Sequence, residues 1–505
     1  MILSRYILKH ISNNNIDIPS DAQFELPEKI IQFGTGVLLR GLPDYFVNKA
    51  NQKGFFNGRI VVVKSTTQGD SSAFDKQDGL YTICVRGLEG GNTIEENIIN
   101  SSISRVLSAQ EDWSKILECA ADPSMQVVIS NTTEIGIQLV NEDIRRYPPI
   151  SFPGKLLAFL YARFHAFAGS GDSGMIIIPT ELIKNNGKVL ESIVLELAHL
   201  NGLEGTFIEW LETKNQFCSS LVDRIVPGKP DIEELQKIEG SLGYKDELLI
   251  MSESYSLWAI EGNESIKKIL TFALADDGVI IAENIDQYRE LKLRILNGTH
   301  TLVCGSAFLC GFETVKEAMQ DELFSSFISD IMFKEVLPSI PYDIDHDLAT
   351  SFANKVLDRF RNEYINHLWL NITMQYSTKL KLRVVPLLIK HYSLSEIVPD
   401  LISFGFASYI NFTKPVKFSK NKYYGLFNDI EYLINDDQAN IFYVRWGTLS
   451  QEDLVESVLK DVNFWGHDLN SLPGFSNSVK QKLKLMSGHK MKEVLKMVSQ
   501  NKELV

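Results

Sequence analysis

Short apolar runs that alternate with helical segments restrict the fold of this chain more than any other feature. The first half contains the runs KIIQFG, GRIVVVKST, MQVVISNTT, SGMIIIPTEL and LLIMSES, each of strand length. Segments with helical spacing lie between several of them, including LLRGLPDYFVNKANQKG and EDWSKILECAAD. Continuous apolar strands separated by helices are typical of a parallel sheet covered on both faces. We therefore predict an α/β fold that begins with a Rossmann-like, doubly wound sheet.

Two further patterns define the domain organisation. The stretch LYTICVRGLEGGNTIEENIIN alternates with period two around Gly90 and Gly91, which predicts a hairpin of antiparallel strands added to the parallel core. From residue 286 onwards helical spacing dominates, as in QYRELKLRILNGTHTLVCGSAFLCG. Because 505 residues exceed the usual size of a single core, we predict two domains. The first is the α/β domain over residues 1–285, and the second is a mainly α-helical domain over residues 286–505.

Composition narrows the classes of partner. The formal net charge of -14 disfavours non-specific attraction to nucleic acid or to an anionic membrane surface. No apolar run approaches the roughly 18 residues that a membrane span needs. Arg5 and Lys9 interrupt the apolar N-terminus, so we predict no signal peptide and a cytoplasmic protein. The oligomeric state is not determined by these patterns.

The cysteines do not indicate a metal site. The chain has five of them, scattered and without a Cys-x-x-Cys pair, which is typical of reduced, buried thiols. His300 and Cys304 are four residues apart, but zinc sites draw at least three ligands from the protein. We therefore expect no bound metal.

The stretch IIQFGTGVLLRG places Gly34-Thr35-Gly36 between a predicted strand and a predicted helix. Glycines in this setting allow a backbone to approach the pyrophosphate of a dinucleotide. The third glycine of the usual fingerprint is missing, and a tight turn without a ligand is the alternative. We expect Arg40 to lie near the pyrophosphate or the active-site cleft instead of in the core. Lys64 and Ser65 end the second strand where an acid normally contacts NAD, so NAD and NADP both remain open.

Three polar residues in ELKLRILNGTHTL could converge on one small molecule. Lys292, Asn297 and His300 are spaced five and three apart, which on an α-helix spans an arc of about 140°. A partly desolvated lysine can act as a general base while amide and imidazole groups hold the reacting oxygen. The alternative is a solvated lysine, a helix-terminal asparagine and a core histidine.

Two other stretches concentrate charge among apolar residues. In SSLVDRIVPG, Asp223 and Arg224 form either a buried ion pair or a turn at a substrate cleft. In YSTKLKLRVVP, Lys379, Lys381 and Arg383 occupy alternate positions. Such a row favours a solvated face over an anion site.

Together these motifs resemble one family, the long-chain polyol-specific (mannitol) dehydrogenases. The array Lys292-x4-Asn297-x2-His300 resembles its catalytic motif, and Val222-Asp223-Arg224-Ile225-x-Pro227 resembles its signature. Other similar runs, such as QDGLYTICVRG, VISNTTEIGI and VLDRFRNEYINHLWLNI, extend the likeness over both domains. The resemblance implies metal-independent hydride transfer with NAD on a small-molecule substrate, and the likeness is closest to the branch that acts on keto-uronates.

The resemblance also implies roles for individual residues. Lys292 is the expected general acid/base, Asn297 a donor to the reacting oxygen, and His300 a substrate-orienting group. Asn186 is the expected second oxygen-polarising amide, with Asn185 as the alternative. The expected cofactor-binding residues are Ile31, Gly34, Thr35, Gly36, Arg40, Lys64, Ser65, Asn131 and Thr132. The expected substrate-binding residues are Asp223, Asn371, Lys379 and Arg383.

Residue 371 and the nearby cations indicate the class of substrate. Asn371 stands where mannitol dehydrogenases carry an arginine, so we expect a keto-uronate in preference to a neutral hexitol. Lys379 and Arg383 are the first candidates for binding its carboxylate, with Arg361 and His367 as alternatives. A related reductase or mannitol-type activity on the same scaffold is one rival, and a catalytically silent dinucleotide-binding regulator is another.

Overall fold

The computed structural model describes residues 1–65, 71–132 and 136–500. Thr66 and Thr133, the last residues of two predicted strands, lie outside these ranges. The chain divides into two compact units. Unit 1 comprises Met1–Gly87 and Thr93–Ile285, and unit 2 comprises Leu88–Asn92 and Asp286–Val505.

Strands and helices alternate through the first 285 residues. The strands are β1 (Ile16–Asp17), β2 (Glu28–Phe33), β3 (Arg59–Lys64), β4 (Tyr81–Glu89), β5 (Asn92–Asn100), β6 (Ile103–Ser108), β7 (Val127–Ser130), β8 (Ile176–Pro179), β9 (Gln216–Phe217), β10 (Ser220–Asp223), β11 (Ile250–Glu253), β12 (Leu257–Glu261) and β13 (Val279–Ala282). The α-helices are α1 (Arg5–Leu8), α2 (Val37–Gly41), α3 (Pro43–Gln52), α4 (Ser72–Lys76), α5 (Trp113–Cys119), α6 (Phe152–Ala166), α7 (Asn186–Leu200), α8 (Gly205–Lys214), α9 (Ile232–Leu242) and α10 (Glu264–Ile269). Short 3-10 helices cover Asp21–Glu25, Gly171–Ser173 and Thr271–Leu274.

A six-stranded parallel sheet forms the centre of unit 1. Its strand order is β6-β3-β2-β7-β8-β9, so the order reverses between β2 and β7. Successive residues of β2 enter different cores, since Ile30 packs in one apolar cluster and Ile31 in another. The prediction of a doubly wound sheet buried on both faces is confirmed. In such sheets ligands bind beyond the carboxyl ends of the strands at the reversal point.

The predicted hairpin is present, but it forms a separate sheet. Strands β4 and β5 are neighbours, joined at Gly90 and Gly91, which both have positive φ. With β1 and β11 they make a four-stranded sheet of order β1-β5-β4-β11, while β10, β12 and β13 make a third sheet. The run LLIMSES is a strand as predicted, yet it pairs with β4 and not with the six-stranded sheet. Local alternation identifies a strand but does not identify its partner.

Unit 2 is mainly α-helical, as predicted. Its α-helices are α11 (Asp286–Leu291), α12 (Asn297–Leu309), α13 (Val315–Gln320), α14 (Glu322–Asp330), α15 (His346–Arg361), α16 (Trp369–Ile372), α17 (Tyr376–Arg383), α18 (Val385–Leu394), α19 (Asp400–Phe412), α20 (Ala439–Thr448), α21 (Gln451–Leu459), α22 (Val462–Trp465), α23 (Phe475–Gly488) and α24 (Met491–Gln500). Two π-helical segments cover Lys292–Leu296 and Ile331–Val336, and 3-10 turns cover Leu337–Ser339 and Leu469–Ser471.

An antiparallel sheet within unit 2 was not predicted. It contains β14 (Lys417–Ser419), β15 (Lys422–Phe427) and β16 (Ile430–Ile434). Two-residue turns at Lys420-Asn421 and Asn428-Asp429, all with positive φ, connect the strands. Asparagine and aspartate in two-residue turns are the sequence signal that could have revealed this sheet.

In the part of the chain that the structure describes, no helix is both long and apolar enough to span a bilayer.

Candidate functional site

The two glycines after β2 have different environments. Gly34 has a φ of +133°, and its N–H donates to the Val63 carbonyl over 3.0 Å. A Cβ at Gly34 would lie 2.8 Å from the Leu39 side chain and 3.0 Å from the Asn131 carbonyl oxygen. A Cβ at the exposed Gly36, which precedes α2, would meet no atom within 4 Å. Gly34 therefore makes the turn, and Gly36 leaves open space beside the backbone.

Gly41 supplies the close packing that the third fingerprint glycine usually provides. Leu39 occupies the usual position of that glycine and is fully buried in the core. At Gly41, the last residue of α2, a Cβ would lie 2.8 Å from a Val226 methyl carbon. The glycine that ends the run LLRG was the available signal for this contact.

Asn131 and Thr132 lie at the same carboxyl edge of the sheet, directly after β7. The Asn131 amide donates to Thr180 Oγ1 over 2.9 Å. The buried Glu181 carboxylate accepts the Thr132 N–H over 2.7 Å and the Ser130 hydroxyl over 3.2 Å. Glu181 was not predicted, although an acid two residues after a buried strand was visible in the run IIIPTE. It holds the loop that faces Gly34.

Lys64 and Ser65 end β3, which neighbours β2 in the sheet. Both residues are half-buried. The Ser65 hydroxyl oxygen is itself buried and has no hydrogen-bond partner within residues 1–65, 71–132 and 136–500. As far as the described residues extend, β3 is therefore followed by no acid and ends in a cation and a hydroxyl without a hydrogen-bond partner.

Two predicted cofactor residues lie in the core instead. Ile31 is fully buried in the middle of β2, because the sheet is covered on both faces. Arg40 is also buried, and its guanidinium donates to the Leu248 carbonyl over 2.6 Å. The expectation that Arg40 lies outside the core is wrong, because a carbonyl inside unit 1 binds its charged end.

Asn186 cannot serve as an oxygen-polarising amide in this structure. Its side chain is fully buried, and its Nδ2 donates to the carbonyls of Pro179, Glu181 and Ser220. Its Oδ1 accepts the N–H groups of Gly187 and Ser220. Every hydrogen of this amide is therefore used within the protein, and Asn186 joins the loop after β8 to β10. The alternative, Asn185, is exposed.

In the Asp223-Arg224 stretch, the Arg224 guanidinium binds main-chain carbonyls. Asp223 is the buried last residue of β10 and pairs with Leu257 of β12. Arg224 donates through Nε and Nη2 to the Glu253 carbonyl and through Nη1 to the Gly41 carbonyl. These contacts favour a turn over an ion pair, and the role of that turn at a substrate cleft stays a prediction.

The predicted catalytic array of unit 2 includes a π-helical segment. Lys292 is the first residue of this segment, and Asn297 is the first residue of α12. Both are half-buried, whereas His300 is buried. The arc calculated for an uninterrupted α-helix does not hold, because the π segment has a wider turn. Single π turns are frequent at functional sites.

Arg294 joins this segment to α17. Its Nε donates to Glu290 over 2.8 Å, and its Nη1 donates to the carbonyls of Leu382 and Arg383 over 2.7 and 2.9 Å. The segment that begins with Lys292 is therefore attached to the end of the helix that carries Lys379 and Arg383.

His300 is buried close to several cationic side chains. Its ring stacks on Phe360 at a centroid distance of 4.1 Å. Burial is the main cause that holds its pKa well below the usual value, and His367, Arg359, Arg383 and Lys379 lower this pKa further. Its Nε2 has no hydrogen-bond partner among the described residues.

Lys379 and Arg383 lie one turn apart on α17 and not in an extended row. The Lys379 ammonium donates to the Ile372 carbonyl over 2.9 Å, and the Arg383 guanidinium donates to Thr301 Oγ1 over 3.1 Å. Burial lowers the pKa of each, and the charge of Arg383 lowers the pKa of Lys379 further. No carboxylate of the described residues forms an ion pair with either. Lys381 points elsewhere, with its ammonium over the Phe464 ring.

The other candidates for carboxylate binding differ in burial. Asn371 on α16 and Arg361 on α15 are exposed, and Arg361 lies 3.8 Å from Asp358. His367 is half-buried, with its ring 5.2 Å from that of His300. Arg359, which was not predicted, is buried and lowers the pKa of both histidines. Its position three residues after the buried Val356 on α15 was the available signal.

Comparisons with known proteins agree with this architecture. Residues 28–272 match the mannitol dehydrogenase Rossmann domain, and residues 284–487 match the mannitol dehydrogenase C-terminal domain. An altronate oxidoreductase of Halalkalibacterium halodurans is 36% identical over 481 residues, which cover 93% of both chains. An altronate oxidoreductase of Bacillus subtilis is 36% identical over 466 residues, which cover 91% of this chain and 92% of the relative.

Two solved structures share the fold at low sequence identity. The mannitol 2-dehydrogenase of Pseudomonas fluorescens, in a ternary complex with NAD and D-mannitol, has a TM-score of 0.68 at 19% identity, with 99% of both chains covered. A D-sorbitol dehydrogenase in substrate-free form has a TM-score of 0.75 at 19% identity, covering 98% of this chain and all of that one. The predicted fold class and the family resemblance are thus confirmed.

Proposed function

Because this chain belongs to the mannitol dehydrogenase family of oxidoreductases, we propose that it interconverts D-tagaturonate and D-altronate with NAD(H). The altronate oxidoreductases at 36% identity support this substrate pair. In the proposal, unit 1 binds the dinucleotide, while unit 2 supplies the proton donor and the binding site for the substrate carboxylate.

Lys379 and Arg383 are the observation that supports an acidic substrate most directly. Two like charges one helical turn apart repel each other, and partial burial adds a desolvation penalty to both. Each donates to a single neutral oxygen within the described residues. A substrate carboxylate would relieve both penalties and accept the unused N–H groups. A neutral hexitol would relieve neither, because hydroxyl groups carry no charge.

The glycine loop fits a dinucleotide. The empty space at Gly36 would be reduced by any side chain, and the loop lies at the reversal point of the sheet, where dinucleotides bind. Thr35, Asn131 and Thr132 are the remaining loop residues that we assign to this site. When bound, the nicotinamide would supply the hydride to the substrate ketone or accept it from the alcohol.

The groups of unit 2 divide the remaining chemistry. Lys292 donates the proton that neutralises the alkoxide and removes it in the reverse direction. Asn297 is half-buried at the start of α12, and its amide is assigned to polarise the carbonyl oxygen. His300 remains uncharged and orients a substrate hydroxyl. Asn371 of unit 2 and Asp223 of unit 1 remain proposed substrate-binding residues.

Rates of cofactor oxidation across a substrate panel test the proposal. NADH oxidation is measured with D-tagaturonate, D-fructuronate and D-fructose, and the panel is repeated with NADPH. We expect the highest kcat/KM with tagaturonate and NADH. NADPH is the critical comparison, because Lys64 and Ser65 are compatible with a 2′-phosphate.

Each alternative predicts a different result in the same panel. A preference for fructuronate would identify a related uronate reductase, and a preference for fructose would contradict the acidic-substrate assignment. Tight NADH binding without oxidation by any substrate would support a silent binding protein instead.

A further inference from the structure

The segment that follows β10 packs against the glycine-loop helix. We define residues 224–228 as the clamp segment. Its Ile225 carbonyl accepts the Glu253 N–H over 3.0 Å, and its Gly228 carbonyl accepts the Met251 N–H over 2.8 Å. The clamp segment is thereby attached to β11 inside unit 1.

The opposite side of the clamp segment contacts α2. Arg224 Nη1 donates to the Gly41 carbonyl over 2.7 Å, at the end of α2. The Val226 methyl carbons leave no room for a Cβ at Gly41, and a Cβ at Gly228 would lie 3.4 Å from a Val37 methyl carbon. The clamp segment therefore follows α2 from its first residue to its last.

Helix α2 needs such external contacts. It has only five residues, too few for a stable isolated helix. Its carbonyls at Arg40 and Gly41 accept hydrogen bonds from Tyr81 and Arg224, respectively. Because Gly36 directly precedes α2, a displacement of the helix also moves the loop.

We propose that the clamp segment positions the glycine loop for dinucleotide binding, with Arg224 and Val226 as positioning residues. This inference rests on the proposed function, since it assumes that the loop binds NADH. Arg224 acts through the Gly41 carbonyl and Val226 through the missing side chain of Gly41. Neither residue is assigned to the chemical step.

Substitution of Gly41 tests the packing contact directly. In Gly41→Ala the new methyl group overlaps Val226, so α2 must shift, and we expect the Kd for NADH to rise about tenfold. Val226→Ala removes both methyl carbons that cause the overlap. The double variant Gly41→Ala/Val226→Ala should therefore restore the Kd to within about threefold of wild type. Gly240→Ala, where a Cβ would meet no atom within 4 Å on α9, is the matched control and should leave the Kd unchanged.

Arg224→Lys tests the polar contact. A lysine cannot reproduce donation to both Gly41 and Glu253, so we expect about a fivefold rise in Kd for NADH and a kcat at saturating NADH within about twofold of wild type. Fluorescence titration and steady-state kinetics measure the two quantities, and thermal unfolding of each variant is recorded alongside.

The outcomes separate the two proposals. If wild type binds NADH and Gly41→Ala binds it equally well, the positioning role is wrong even if the variant unfolds at a lower temperature. A double variant that stays as weak as Gly41→Ala would contradict the role of Val226. If wild type binds neither NADH nor NADPH, the proposed function itself fails, and this inference fails with it.

Discussion

Three buried arginines of unit 1 and two cations of α17 in unit 2 use their donors differently. Arg59, Arg163 and Arg224 each donate three hydrogen bonds to main-chain carbonyls. Lys379 and Arg383 each donate one, as far as the described residues extend. All five side chains carry a desolvation penalty.

The difference indicates which buried cations serve the fold. An arginine whose donors are taken by carbonyls joins chain segments, and its removal leaves those carbonyls unpaired. A cation with few acceptors is stabilised little by the protein and would be stabilised strongly by charge-assisted hydrogen bonds to an anionic ligand. We therefore expect the number of occupied donors to distinguish Arg59, Arg163 and Arg224 from Lys379 and Arg383, which we propose to bind an anionic ligand.

Lys292→Met should give the largest effect, because Lys292 is the cation of unit 2 assigned to proton transfer. Loss of general acid catalysis is expected to lower kcat about 10³-fold, with the Kd for NADH unchanged. Single-turnover NADH oxidation measures the chemical step. Lys334→Met is the control, since Lys334 lies on the other π-helical segment in an exposed ion pair with Asp330. Full turnover in Lys292→Met would remove Lys292 from the mechanism.

Arg59→Met tests whether a buried arginine with three carbonyl acceptors stabilises the fold. Three carbonyls lose their donor, so the free energy of unfolding should fall by about 3 kcal/mol. The KM for substrate in the folded variant should not change. Urea unfolding provides the measurement, and Arg105→Met, which removes a partly exposed ion pair with Glu28, should cost less than about 1 kcal/mol. Equal losses in the two variants would contradict the distinction.

Lys379→Met tests whether this lysine binds the substrate carboxylate, as we propose. Loss of a charge-assisted hydrogen bond to the substrate carboxylate should raise the KM for the keto-uronate about 30-fold. The free energy of unfolding should stay close to wild type, because Lys379 donates to only one described carbonyl. Lys381→Met, on the same helix but above the Phe464 ring, is the matched control. A larger loss of stability than of affinity would place Lys379 with the structural cations.

His300→Asn should leave the pH dependence of kcat/KM unchanged, which is the smallest expected effect. Burial and the surrounding cations hold the His300 pKa well below its usual value, so we expect the imidazole to stay neutral in the pH range where an unperturbed histidine titrates. Initial rates across the neutral range measure the profile. An inflection near pH 6.5 in wild type that disappears in His300→Asn would show that the imidazole titrates there.

The strands and their helices were predictable because local patterns determine them. Buried parallel strands are apolar throughout, so β2, β3, β7 and β8 were visible as continuous runs. The pairing partner of β11 and the sheet β14–β16 were not predicted. Partners depend on distant segments, and two-residue turns give only a weak local signal.

The proposed site residues were predicted as positions in the sequence, but their environments were not. The family motif gave Lys292, Asn297 and His300, whose roles stay predictions, and the strand-loop-helix order gave Gly34 and Gly36. Spacing did not reveal the π-helical segment or the hydrogen bonds that occupy Asn186. Ile31 and Arg40 were assigned to the cofactor for their place in a motif, although both are buried in the core.

The sequence by itself determined the α/β class and the family, and it supplied the residues that we propose for the chemistry. The class follows from residue type and spacing, which are local properties of the chain, whereas the family and the proposed residues follow from motifs that resemble those of known enzymes. Only the tertiary structure decided which polar groups remain available to a ligand. Asn186 and Arg224 have their donors taken by carbonyls from distant segments, while Lys379 and Arg383 do not. Gly34 and Gly36 mark the loop in the sequence, but contacts to Val226 and Arg224 hold its helix in place.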